Sequence, residues 1–174
     1  MGDFMRITLA AAILALAATP VMAADWINFH DPQGAFTVSF PANPGVAKNP
    51  LPADKGGAPT PGFTYQTIER ADVFYVSVYD FSGQSTGDPG KMAATAIRGA
   101  SRNLGLTDAG HSITLDGHSG LELQGPMKTG QQLIDRTFVV NHRLYQVLVV
   151  VPKTPNQSDS ADRARFLASF HFVK

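Results

Sequence analysis

Gln131–Val151 reads QQLIDRTFVVNHRLYQVLVVV, two long strands joined at Asn141-His142, and the fold is built outward from it. From Leu144 to Val151 only Gln146 is polar. Side chains alternate faces along a strand, so Leu144, Leu148 and Val150 share one face and Tyr145, Val147, Val149 and Val151 the other. A strand that is apolar on both faces must be covered on both, which predicts a central position in a sheet. The Val and Tyr content favours a strand over a buried helix. The partner strand, Leu133 to Val140, carries Asp135, Arg136 and Thr137 and is expected to be less buried. Asn tolerates positive φ, so Asn141-His142 suits a two-residue hairpin turn, which places Phe138 opposite Tyr145. Asp135 and Arg136 are adjacent and point to opposite faces, so they are no paired site; the Arg136 stem is expected to cover apolar surface.

Downstream, Pro152 to Gln157 reads as a loop. Ser158 is expected to cap a helix with Asp159 and Asp162 in its first turn and Phe166, Leu167 and Phe170 as anchors. His171 begins a short last strand. Upstream, His111 to Leu123 is a hairpin around Asp116-Gly117. A two-residue turn would put Ile113 and Leu115 on the face opposite to Leu121 and Leu123. A three-residue loop with Gly117 at positive φ unites all four, and is the expected form. That register places His111 and His118 on opposite faces.

Asp88 reads as a helix N-cap, Pro89 as the first helical residue and Gly105 as the stop. Met92, Ala96, Ala100 and Leu104, flanked by Ala93 and Ile97, form the expected buried stripe; Lys91, Thr95, Arg98 and Arg102 face water. Phe63 to Ile68 and Val73 to Phe81 are a strand pair around Arg70-Ala71-Asp72. Asn43 to Gly62 has prolines at 44, 50, 52, 59 and 61 and few large apolar residues. It reads as a long mobile surface loop barred from regular pairing. Trp26 to Phe29 and the alternating Ala35 to Phe40 are the first strands.

At the N-terminus, Arg6 precedes the apolar run Ile7 to Ala18, and Val21-Met22-Ala23 offers a cleavage site. Residues 1–23 are therefore expected to be a secretory signal peptide, and residues 24–174 a single domain. The apolar run is shorter than the roughly 20 residues that span a bilayer, so no membrane span is expected in the mature chain. Net charge is zero and no basic cluster stands out, which disfavours nucleic acid as a partner. No cysteine is present, so no disulfide staples the fold. A periplasmic or secreted bacterial location fits this set.

Hairpins joined by short turns, with one helix mid-chain and one near the C-terminus, give an α+β fold: an antiparallel sheet with two helices packed on it. The chain resembles the PsbP-like family of small exported domains. The resemblance rests on GAFTVSFP (Gly34 to Pro41), LDGHSGLE (Leu115 to Glu122), RTFVVNHRLYQV (Arg136 to Val147) and FLASF (Phe166 to Phe170). It covers most of the mature chain. Proteins of that fold include an extrinsic photosystem II subunit and a Ran-binding protein, so the resemblance implies scaffolding or partner binding, with no shared catalytic set.

Gly83 to Gly87 matches G-x-S-x-G, with Ser85 as candidate nucleophile. The sharp strand-to-helix turn of a nucleophile elbow is missing, because Ser85 follows Phe81 by four residues and precedes the Asp88 cap by three. Gly90-Lys91 lacks both the first glycine and the hydroxyl residue of a phosphate loop. His30, His111, His118, His142 and His171 show no metal-ligand spacing. Tyr65, Tyr75, Tyr79 and Tyr145 are candidates for core or for a groove wall. The expected function is a non-catalytic exported binding or accessory domain for an unknown protein or small molecule, with no cofactor. The alternative is a small serine hydrolase using Ser85.

Overall fold

A computed structural model describes residues 26–33, 35–52, 58–83, 88–107, 110–154 and 160–173. The expected signal segment over residues 1–23, Ser85, Ser158 and Asp159 lie outside them. The described strands are β1 (Ile27–His30), β2 (Phe36–Phe40), β3 (Gly45–Lys48), β4 (Gly62–Glu69), β5 (Asp72–Asp80), β6 (His111–Leu115), β7 (His118–Pro126), β8 (Gln132–Val140), β9 (Arg143–Val151) and β10 (His171–Phe172). The helices are α1 (Pro89–Leu104) and α2 (Ser160–Ser169).

The fold is α+β with antiparallel pairing throughout, but the strands form two sheets, not one. A seven-stranded sheet runs β3-β4-β5-β9-β8-β7-β6, and a three-stranded sheet runs β1-β2-β10. The second sheet exists because Phe36, Val38 and Phe40 alternate inward and need a surface to cover. It lies with α2 over one face of the large sheet, where Phe166 meets Phe40 at 5.3 Å and Phe74 at 5.2 Å between ring centres. Phe36 stacks on Phe170 at 5.2 Å. A buried ion pair pins α2 to β5: Arg163 donates to both carboxylate oxygens of Asp72, which is 1% exposed.

β9 is the central strand, with β5 and β8 on its flanks. Phe138 stands opposite Tyr145, and Asn141 and His142 take positive φ of 49° and 62° in a two-residue turn. Val147 and Val149 are buried in the aromatic core, whereas Leu148 and Val150 are only half-buried beneath α1. Arg70 and Ala71 likewise form a two-residue turn at positive φ, so Asp72 belongs to β5 and not to the turn.

The Asp116-Gly117 turn has two residues, not three: Leu115 pairs with His118 and Ile113 with Gly120. Ile113 and Leu115 therefore pack against the aromatic core, and Leu121 and Leu123 join a second cluster with Ile97, Leu106 and Leu133. The expectation of one shared face assumed one core, and this sheet has a core on each face. The same register puts His111 and His118 on one face, not two.

β8 is not the less buried partner: Asp135 and Thr137 are both 0% exposed. Their polar atoms satisfy one another, so burial is tolerated. Arg136, on the opposite face, donates to Glu122 Oε2 at 2.6 Å and to the Leu167 carbonyl at 3.0 Å. Nor is the proline-rich segment free of pairing. Gly45–Lys48 forms the exposed edge strand β3 against β4, and Leu51 bridges Thr60. Pro44 and Pro50 flank those four residues without interrupting them, and an edge strand tolerates missing donors on its outer side.

Candidate functional site

Helix α1 begins where its cap dictates. The Asp88 carboxylate accepts from the Lys91 backbone N–H at 2.9 Å, and Pro89 fills the first helical position. Gly105 ends it with φ of 76°, a left-handed conformation that a side chain disfavours. The helix docks on β7 and β8 through Ala93 and Ile97, its two buried residues. This is one position round from the expected stripe. Met92, Ala96 and Ala100 are only half-buried, and they face a cleft between α1 and the β5–β9 part of the sheet.

The cleft has a volume of about 630 Å³. One wall is the cap residue Asp88 and a stripe of α1: Lys91, Met92, Thr95, Ala96, Gly99, Ala100 and Asn103. At 1.5 Å per residue the stripe from Lys91 to Asn103 is about 18 Å long. The floor is Leu144 and Gln146 of β9 with Tyr79 of β5, and Phe81 and Leu51 close one end. The middle of that wall leaves space because Ala96, Gly99 and Ala100 are small. A methyl group added at Gly99 would meet nothing within 4 Å.

The far end is built by the segment read as a free loop. Asn49 N–H donates to the Gly62 carbonyl at 2.8 Å, and the Leu51–Thr60 bridge carries Leu51 to the cleft. Gly62 lies beside Tyr79 across the strand pair, and a Cβ there would stand 2.5 Å from the Tyr79 ring. Glycine is what lets that ring lie over the strand. Asn49 Nδ2 donates to the Tyr79 hydroxyl at 3.1 Å, and burial raises the phenol pKa so that it stays neutral.

Beneath the cleft a polar seam crosses an otherwise apolar sheet face. Thr64, Ser77, Gln146 and Thr137 are successive cross-strand partners on β4, β5, β9 and β8. The Thr64 and Ser77 hydroxyls lie 3.0 Å apart. Asp135 Oδ1 accepts from the Thr137 hydroxyl at 3.0 Å, and Oδ2 from Gln146 Nε2 at 3.3 Å. Burial pushes the Asp135 carboxyl up to about 6, against the opposing pull of those two hydrogen bonds.

Of the residues singled out in the sequence, Tyr79 and Lys91 reach this cleft. Tyr65 and Tyr145 sit in the aromatic core on the other face, where the Tyr65 hydroxyl donates to Asp31 at 2.8 Å. Ser85 lies outside the described residues. His111 pairs with Glu122 and His171 with Asp116. Among the described residues no group of three His, Asp or Glu side chains stands ready to hold a metal ion, and no helix is long and apolar enough to cross a membrane. Sequence reading missed the cleft itself. Two signals for it were present: the small residues Ala96, Gly99 and Ala100 on one helix face, and Gln146 as the lone polar residue of an apolar strand. Searches of protein-family models, of curated proteins and of solved structures find no match to this chain, so its chemistry is read from the cleft alone.

Proposed function

We propose that the chain is a non-catalytic exported binding domain whose cleft between α1 and the β5–β9 floor holds a small, largely apolar molecule. The observation that carries this is the cleft: about 630 Å³, walled by Leu51, Phe81, Met92 and Leu144, with Gln146 as a polar group in its floor. Small-molecule sites fall at about 300–1,000 Å³ and combine apolar walls with a few placed polar groups. Export to a bacterial periplasm rests on Arg6, the apolar run Ile7 to Ala18 and the site at Ala23. A relationship to PsbP-like domains, proposed from the four quoted motifs, agrees with a binding role.

The test is binding of the neutral fluorescent probe N-phenylnaphthylamine to the full chain and to Gly99→Leu and Ala96→Leu. Both substitutions fill the cleft with a residue of good helix propensity, so the helix is kept. Probe affinity is expected to fall at least about tenfold in each variant, with the thermal midpoint held or raised. Undiminished binding in both variants overturns the reading.

A further inference from the structure

Asp135 and Gln146 form a hydrogen-bonded pair at the floor of the cleft. Asp135 is 0% exposed and touches two donors, Thr137 Oγ1 and Gln146 Nε2. An ionised carboxylate only accepts hydrogen bonds, so it turns the nitrogen end of the Gln146 amide toward itself. The oxygen end is left over. Among the described residues Gln146 Oε1 has no hydrogen-bond partner, and Gln146 lines the cleft floor. The Thr137 hydroxyl is engaged by Asp135, and Thr64 and Ser77 face each other. Lys91 stands exposed at the cleft wall, where water screens its charge.

We propose that the cleft selects an apolar molecule bearing a hydrogen-bond donor, a hydroxyl in the first instance, which donates to Gln146 Oε1. The proposal rests on the cleft reading above and names its ligand class. Asp135 acts here as a positioning residue: it touches no ligand and fixes which end of the Gln146 amide is presented. A ligand offering only acceptors would leave that oxygen unpaired in a desolvated site, a loss that sets the size of the selection.

Three probes of equal chain length separate the possibilities: n-octanol, its isomer heptyl methyl ether, and octanoate, each titrated against bound N-phenylnaphthylamine at about pH 8, where Asp135 is ionised. The alcohol is expected to bind about tenfold more tightly than the ether. In Gln146→Leu that ratio should fall to about one while the ether still binds. In Asp135→Asn, where the neighbouring amide no longer dictates one orientation, the ratio should shrink without loss of ether binding. Equal binding of alcohol and ether to the unaltered chain overturns the proposal. So does tightest binding by octanoate, which would assign selection to Lys91. Failure of all three probes to bind overturns the cleft reading itself.

Discussion

Replacing Asp135 with asparagine should stabilise the protein, and by an amount that depends on pH. Its carboxyl titrates ordinarily at 3.8 and in the folded protein at about 6. The folded state therefore holds this proton more tightly than the unfolded chain does. Where the folded value is raised, stability rises as pH falls from above 6 toward 3.8, and is lost again as pH rises. The gap is about 2 pH units, and at 1.36 kcal/mol per unit ionisation costs the folded state about 3 kcal/mol at neutral pH and above. Asp80, Asp116 and Glu122 act in the opposite sense, because their values are lowered. What they contribute is lost only as pH falls below their ordinary values, 3.8 for the aspartates and 4.5 for Glu122, so the two windows overlap only between 3.8 and 4.5, and that loss is common to both proteins.

Asp135→Asn keeps the shape and both contacts. Its amide can face Gln146 with the oxygen and Thr137 with the nitrogen, or the reverse, since the Thr137 hydroxyl accepts as readily as it donates and the Gln146 amide can turn to match. Urea unfolding of both proteins at about pH 8, 6 and 4 is the assay, with unchanged denaturant slopes required. The variant should gain about 2–3 kcal/mol at the highest pH and close to nothing at the lowest. Parallel stability curves, or a variant weaker at pH 8, would refute the reasoning, because either means the buried charge carries no desolvation cost.

Arg163→Ala should destabilise by about 3–5 kcal/mol, since it strands Asp72 as a buried charge, and loss of α2 protection in hydrogen exchange would report it. Val149→Ala, which opens a cavity in the aromatic core, should cost about 2 kcal/mol in the same urea assay. Leu148→Ala should cost less than truncation of a fully buried leucine, because Leu148 is half-buried beneath α1; a loss as large as that of a fully buried leucine would show Leu148 to be as enclosed as Val149. Asp88→Ala removes the α1 cap and should cost about 1 kcal/mol, read as faster exchange in the first helical turn.

The elements that were legible in the sequence are those fixed by local chemistry. The bounds of α1 follow from Asp88, Pro89 and Gly105, and the Phe138–Tyr145 register from the Asn141-His142 turn. What failed were inferences from a single core. Ile113 and Leu121 were forced onto one face, and the α1 stripe was centred on Ala96 when its flanks Ala93 and Ile97 are the buried contact, with Ala100 and Leu104 packed partly against the second core. Asp135 was read as a sign of exposure because a charge is costly to bury; its partners, Thr137 two residues away and Gln146 on the next strand, satisfy it only once the sheet has formed. The β3 pairing was hidden because an edge strand needs no apolar pattern. The cleft was hidden for a further reason: it is made of volume that Ala96, Gly99 and Ala100 leave unfilled, and hydrophobic periodicity reports only what is filled.

β9 separates two duties by parity alone. Tyr145, Val147 and Val149 hold the aromatic core, while Leu144 and Gln146 face the cleft. Selection can therefore act on the two sets with little interference. On the proposed reading, changes at Leu144 and Gln146 would alter what the cleft takes, while Tyr145, Val147 and Val149 keep the aromatic core packed. The same arrangement makes β9 intolerant of length change, because one inserted residue would exchange the two sets and forfeit both duties in a single step.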